Sequence, residues 1–315
     1  MLMAASGRVT QNPVVDPRLL AAMRGLELAA RKLVAGVLPG LHESRRPGLA
    51  REFSQYRAYQ PGDEPRHIDW KLYARSDRYF LRESEIETKV AVRLIVDATA
   101  SMAHTDRARG ALRKFDAARV IAAALAWIAQ AQGDPLGMVV INDNTISAVP
   151  IDGNRQPFAR VVRALADLEP AGAWPRERRD FEAALALDPR AVGGADTTRE
   201  LTIILTDGHE PAGEIRAALG PLRARRNEVL WLHLVGRDER EFPYDGLVRF
   251  EEWETGRLVE AEAGQVRAAY LAAQEAEVTA WRRAWAGERF DYLRVMLDEP
   301  LDRALRGFLR RRARS

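Results

Sequence analysis

Residues Val90–Met102 read VAVRLIVDATASM, an apolar run broken only by Arg93 that ends in an acid and small hydroxyl residues. A strand with no alternation of polar and apolar positions is covered on both faces, so the sheet holding it needs helices on both sides. A second such run, LTIILTDG at Leu201–Gly208, also ends in an acid, Asp207. Open α/β sheets of this kind place their ligand sites beyond the carboxyl ends of the strands. Asp97, Thr99 and Ser101 fall at i, i+2 and i+4, so on extended or gently looped chain they can point the same way. One carboxylate and two hydroxyls are hard oxygen donors that suit Mg²⁺ or Mn²⁺. The residues leave two readings open: Asp97 and Asp207 coordinate a cation, or they only cap loops and helices at strand ends.

The rest of the chain fits such a sheet. Asp16-Pro17 starts an amphipathic helix whose apolar face runs from Leu19 to Val37, with proline at the first helical position. Tyr79–Val90 alternates in part and predicts an edge strand before the central one. Phe115–Ala131 is an alanine-rich buried crossover helix, and Leu136–Ile141 and Thr145–Ile151 are strands joined by Asn142-Asp143-Asn144, a hairpin composition. Helices are expected at Phe158–Leu168, Phe181–Leu187 and Glu214–Arg225, and a strand at Glu228–Val235. Alternation of this kind predicts a doubly wound, mostly parallel sheet. Short strands at Val248–Trp253 and Arg257–Glu260, a helix Gln265–Trp285, a strand Phe290–Leu297 and a final helix from Pro300 follow.

Between the first helix and the central strand lies YQPGDEPRHIDWKLYAR, Tyr59–Arg75, with a GD-x-x-R-x-IDW core. Pro61-Gly62 is a turn signal, and Asp69 can cap a helix starting at Trp70. Gly62, Asp63, Arg66, Asp69, Trp70 and Arg75 read either as a charge-paired clasp around Trp70 or as a partner surface. If Trp70 is buried, truncating it to alanine costs about 3 to 5 kcal/mol.

These motifs carry a resemblance. Asp97, Thr99 and Ser101 resemble the Asp-x-Ser-x-Ser opening of the metal-ion-dependent adhesion site (MIDAS) of von Willebrand factor A domains, with Thr99 in the middle place, and Asp207 matches the second site carboxylate. The GD-x-x-R-x-IDW block, REFP at Arg240–Pro243, WETG at Trp253–Gly256 and FLRRR at Phe308–Arg312 are similar to the bacterial domain-of-unknown-function family fifty-eight. The resemblance implies an A-like core at 90–236, preceded by an unpatterned stretch at 1–15 and a helix and clasp at 16–89. A C-terminal strand-helix elaboration at 237–315 packs on the core. It also implies a protein-interaction module that works with a MoxR-type AAA+ ATPase and its client protein in chaperone-like or assembly work. One departure stands out: metal-binding A domains supply a further threonine where this chain reads WPRERRD, Trp174–Asp180. Arg178 or Arg179 could place a fixed cation there, and Thr197 and Thr198 are a weak replacement.

Other functions find little support. A haloacid-dehalogenase-type phosphotransferase needs a second acid where Thr99 stands, and no P-loop, GxSxG elbow or HExxH pair occurs. A metal-dependent hydrolase using Asp97 and Asp207 and a metal-free scaffold are the alternatives. His104 and His209 follow the two acids and could meet across the crevice. Net charge is +3, and the last fifteen residues hold six arginines and one aspartate, a local +5 that leaves the other 300 residues at −2. Nucleic acid is therefore not an expected partner. The apolar stretch Leu19–Leu38 carries Arg24, Glu27, Arg31 and Lys32, too many charges for a membrane span. The absence of cysteine excludes disulfides and thiolate chemistry and suits a reducing cytoplasm.

Overall fold

A computed structural model of the chain describes residues 17–37, 54–60, 65, 68–84, 90–106, 112–142, 145–152, 156–174, 200–209, 228–284 and 290–312. The helices expected at 181–187 and 214–225 and the stretch 1–15 lie outside them. So do Gly62, Asp63, Arg66, Arg178, Arg179, Thr197 and Thr198.

The central strand β3, Ala91–Asp97, is buried along its whole length. It lies between β4, Leu136–Asn142, and β6, Glu200–Thr206, parallel to both. β7, Glu228–Val235, and β10, Phe290–Met296, extend the sheet beyond β6, also in parallel. β5, Thr145–Asp152, closes the other edge antiparallel to β4, as the Asn-Asp-Asn turn predicts. The six-stranded order is β10-β7-β6-β3-β4-β5. Counted along the chain within this sheet, that is the doubly wound order 3-2-1-4-5-6, whose direction of winding reverses between β3 and β6. Asp97 and Asp207 stand at the carboxyl ends of those two strands.

Both faces are covered, as the apolar text of β3 requires. On one side Val92, Leu94 and Val96 pack with α3, Lys114–Gln132, whose alanines allow a close approach, and with α1, Pro17–Val37, through Leu26, Ala30 and Val34. The helix α4, Pro157–Leu165, and the final helix α7, Leu301–Arg312, complete that layer through Val161, Val162, Leu165 and Leu305. On the other side Ile95, Ile141, Ile204 and Trp231 pack with Trp281 of α6, Ala263–Ala284. Arg93, the one basic residue in β3, is buried and forms a forked ion pair with Glu200 on β6, Nε to Oε1 at 2.5 Å and Nη2 to Oε2 at 3.3 Å. That pairing satisfies a group whose burial would otherwise be costly.

Two expectations need correction. The extended chain after Tyr79 is not an edge of the main sheet: β2, Phe80–Ser84, pairs with β1, Ser54–Ala58, in a separate antiparallel ribbon. Moreover, 237–315 is more than an appended layer, because β10 is a strand of the central sheet itself. The remaining C-terminal elements are α5, Arg237–Glu241, and a hairpin of β8, Leu247–Glu251, with β9, Leu258–Glu262. Among the described residues no helix is long and apolar enough to cross a membrane.

Candidate functional site

Asp97 ends β3 buried, and its carboxylate is held by four donors. Oδ1 accepts from the Thr99 backbone N–H at 2.9 Å and the Thr99 hydroxyl at 2.7 Å. Oδ2 accepts from the Thr206 hydroxyl at 2.6 Å and the Trp174 indole N–H at 3.1 Å. The Thr99 hydroxyl proton is thus committed to Asp97, so in the 3.3 Å contact between Thr99 Oγ1 and Ser101 Oγ the serine donates. Burial, and after it the charge of Asp207, push Asp97 up to about 6 despite these bonds.

The loop geometry follows from the sequence. Ser101 lies in a 3₁₀ turn, Ala100–Ala103, entered through Thr99 in extended conformation. Ala100 N–H donates to Gly172 and Ala171 N–H to Ala98, which docks the Trp174 segment on the Asp97 loop. Across the crevice Thr206 Oγ1 also accepts from Gly208 N–H at 3.0 Å. Gly208 has φ 71°, and a Cβ there would lie 2.6 Å from the Trp231 ring. The glycine after Thr206-Asp207 is therefore required both by its left-handed backbone and by that ring.

Asp207 is not an open ligand. Its Oδ2 accepts from Lys114 Nζ at 2.8 Å and its Oδ1 from His209 N–H at 3.1 Å. Lys114, at the start of α3, is only 1% exposed and also donates to Glu239 Oε1 at 2.6 Å. Burial opposes the charge of all three groups, but the attraction between Lys114 and the two acids outweighs it. Asp207 and Glu239 are held below the usual carboxylate range and Lys114 above the usual amine range. Glu239 Oε2 accepts from Gly236 N–H at 2.8 Å, which fixes it on the first turn of α5.

His233 Nε2 lies 2.9 Å from the Asp207 carbonyl oxygen, which can only accept, so Nε2 carries the proton and Nδ1 accepts from Tyr292 Oη at 2.9 Å. Burial pushes His233 down to about 3, leaving it neutral. A cleft of about 260 Å³ opens beside Asp207, lined by His209, His233, Glu239, Tyr270 and Gln274.

Thr99 and Ser101 are therefore brought together with Asp97, and Asp207 stands opposite, as the spacing predicts. His104 and His209 do not bond to each other: His104 Nε2 lies 3.2 Å from Asp238 and His209 Nε2 3.3 Å from Glu239. His104, Asp238 and Glu239 hold ligand-type atoms within 4.8 Å of one another, but both Glu239 oxygens already serve Lys114 and Gly236. At the start of the stretch that lacks the A-domain threonine, the Trp174 indole donates to Asp97. Among the described residues the fixed cation beside Asp207 is Lys114; Arg178 and Arg179 lie outside them.

Lys114, Thr206, Trp174 and Glu239 escaped the sequence reading. Only Lys114 had a legible signal. It shares the helical face of Ala117, Ala118 and Ile121, all buried, and a lysine at a helix N-terminus opposes the dipole, so it needs a specific acid.

In the GD-x-x-R-x-IDW block, Asp69 caps α2, Trp70–Ser76, as expected, its Oδ1 accepting from Lys71 and Leu72 N–H at 2.9 and 3.0 Å. Trp70, however, is 59% exposed and is not the buried centre of a charged clasp. It stands edge-on to Tyr73 and Tyr79, which stack at 4.5 Å. Arg75 lies in the last turn of α2.

A model of the family described as "Protein of unknown function DUF58" matches residues 55–280. The uncharacterized proteins Mb1516 of Mycobacterium bovis and Rv1480 of Mycobacterium tuberculosis are each 32% identical over 243 residues, covering 76% of this chain and 73% of the relative. Among solved structures, the conserved hypothetical protein BatB from Bacteroides thetaiotaomicron is similar at 16% identity and TM-score 0.45, over 72% of this chain and 100% of that one. The SpRpn10 VWA domain is similar at 12% identity and TM-score 0.39, over 69% of this chain and 94% of that one.

Proposed function

The chain belongs to the DUF58 family, its doubly wound sheet is von Willebrand factor A-like, and from that premise we propose a non-catalytic protein-interaction module. Its crevice at the switch point holds a divalent cation, Mg²⁺ or Mn²⁺, and receives an acidic side chain of a partner. The single observation that carries the reading is the placement of two hydroxyls, Thr99 and Ser101, with Asp97 and Asp207 at the ends of the two strands where the winding reverses.

The donor set fits such an ion in a particular way. Asp97 has all its lone pairs engaged and serves to orient Thr99, while the oxygens of Thr99 and Ser101 and the remaining capacity of Asp207 Oδ1 would hold the cation. Once bound, the ion would supply a positive centre for a carboxylate from outside. Lys114 neutralises part of the acidic field without filling that place, because its ammonium is turned to Asp207 Oδ2 and Glu239.

The same geometry argues against turnover. Among the described residues the Ser101 hydroxyl has a threonine and no base beside it, His233 is held neutral between two partners, and His104 and His209 lie against acids. Such a crevice coordinates better than it catalyses. The partner we propose is a MoxR-type AAA+ ATPase or its client, in a cytoplasmic setting.

Titration calorimetry with Mg²⁺ and Mn²⁺, on wild type and Asp97→Ala, tests the cation. Heat of binding is expected for wild type and none for the variant. A purified MoxR-type ATPase from the same organism is expected to be retained by the wild type and released by EDTA. Equal heats from both proteins would leave the metal-free scaffold. Metal-dependent phosphatase or esterase turnover lost in Asp97→Ala would instead mean an enzyme.

A further inference from the structure

Eight large hydrophobic side chains are exposed among the described residues, and six of them lie on two small units outside the six-stranded sheet. One unit is the β1–β2 ribbon with α2, joined where Asp69 N–H donates to Phe80 and Tyr59 N–H to Tyr79; it exposes Trp70 and Tyr79. The other is the β8–β9 hairpin, which exposes Leu247, Trp253, Leu258 and Val259. Two strands by themselves make too little sheet to cover their apolar side chains. Single exposed hydrophobics are ordinary, but six gathered on two such units mark interaction surfaces.

Both surfaces are held in place before anything binds, which lowers the cost of ordering them. Trp70 stands edge-on to the stacked Tyr73 and Tyr79 rings. At the hairpin tip Gly256 N–H donates to Glu252 and Glu252 N–H to Arg257, and the Trp253 ring lies 6.5 Å from that of His104. Their charges are opposite. Residues 68–80 hold Lys71, Arg75 and Arg78 against Asp69 and Asp77, a formal +1, and Asp69 is committed to the cap of α2. Residues 247–262 hold two arginines against five glutamates, a formal −3. Two hairpins brought together repel each other and so do two ribbons, whereas a ribbon and a hairpin attract.

We propose that the aromatic face of α2 and the β1–β2 ribbon docks on the β8–β9 hairpin of a second copy of this chain. A contact between two different surfaces leaves one of each unused at the ends, so copies add head to tail until a ring closes or the row stops. No residue of the Asp97 crevice takes part, so the inference stands apart from the cation reading. Strands of five residues bury little beside the roughly 1,600 Å² of a standard interface, so the association is weak and grows with concentration.

Sedimentation velocity of the full chain over rising concentration tests it on wild type, Trp70→Ala, Leu258→Ser and an equimolar mixture of the two variants. Wild type is expected to associate, and added salt to weaken the association. Each variant alone should associate about tenfold more weakly or worse while remaining folded by circular dichroism. Lys71→Glu, which leaves the rings in place, should weaken association as well. The mixture should recover a heterodimer, because the intact hairpin of Trp70→Ala meets the intact ribbon of Leu258→Ser. A wild type that stays monomeric at every soluble concentration overturns the proposal, as does association that Trp70→Ala and Lys71→Glu leave unchanged. A mixture no more associated than its parts would mean that each surface meets its own kind, which overturns it too.

Discussion

Lys114 carries its ammonium into the protein to meet two acids, while Trp70, one of the chain's largest side chains, stays outside. The two make opposite predictions for stability. Replacing Lys114 with methionine keeps the length of the side chain but leaves Asp207 and Glu239 buried and uncompensated, which should cost about 3 to 5 kcal/mol. Trp70→Ala removes ring contacts from an exposed cluster and should cost about 1 kcal/mol at most. Urea denaturation of both variants checks this. A Trp70→Ala loss as large as that of Lys114→Met would show that Trp70 is anchored in the native protein after all. At this scale the sequence is legible where a residue's partner is near in the chain. Asp97 with Thr99 and Ser101, and Asp69 with its own helix, could be read from spacing alone. Trp174 and Glu239 could not, because the groups they serve are 77 and 125 residues away.

Among the elements, the β4–β5 hairpin shows how tightly the edge of the sheet is closed. The register shifts between Leu136 and Met138, and a Cβ on Gly137 would lie 2.6 Å from Ile151 Cγ1, 2.7 Å from Ile151 N and 2.9 Å from Val149 O. Two of these are backbone atoms of the facing strand, which cannot move aside without breaking the ladder. Gly137→Ala should therefore destabilise by about 1 to 3 kcal/mol, read as a fall in melting temperature. An unchanged melting temperature would mean that β5 is free to slide. The Asn-Asp-Asn turn and the flanking apolar runs made this hairpin readable. The β1–β2 ribbon was not, because alternation reports which face a strand buries and says nothing about which strand it joins.

For the whole molecule, acid stability follows from the groups gathered at the crevice. His233 cannot take its proton until about pH 3, against an ordinary value of 6.5. The unfolded chain therefore binds that proton first, and stability is lost as pH falls from 6.5 toward 3. Asp97 behaves in the opposite sense: raised from 3.8 to about 6, it takes a proton in the folded state that the unfolded state refuses, so stability is gained as pH falls across that window. Asp207 and Glu239, both depressed, contribute stability that disappears at lower pH still. Glu254, raised by burial from 4.5 to about 7, adds to the gain from Asp97, so the expected profile without divalent cations rises modestly as pH falls from 7 to about 4.5 and falls steeply at lower pH. Urea midpoints from pH 7 to pH 3 in EDTA measure it. A steady decline beginning near pH 6.5 would show that Asp97 and Glu254 both stay ionised in the folded protein.

What the sequence determined by itself was the sheet and its chemistry-bearing edge. Largely apolar runs ending in Asp97 and Asp207 leave a covered parallel strand as their outlet, and the hydroxyl spacing after Asp97 is a local property of the backbone. Tertiary structure alone decided which charges those acids meet. Lys114 reaches Asp207 across the crevice, and Trp174 and Thr206 saturate Asp97. β10 likewise joins the sheet from a stretch whose own pattern marks a strand but not its neighbour. The reason is physical: burial and periodicity act within a few residues and leave a mark in the text, whereas the pairing of a buried charge depends on where two distant backbones cross.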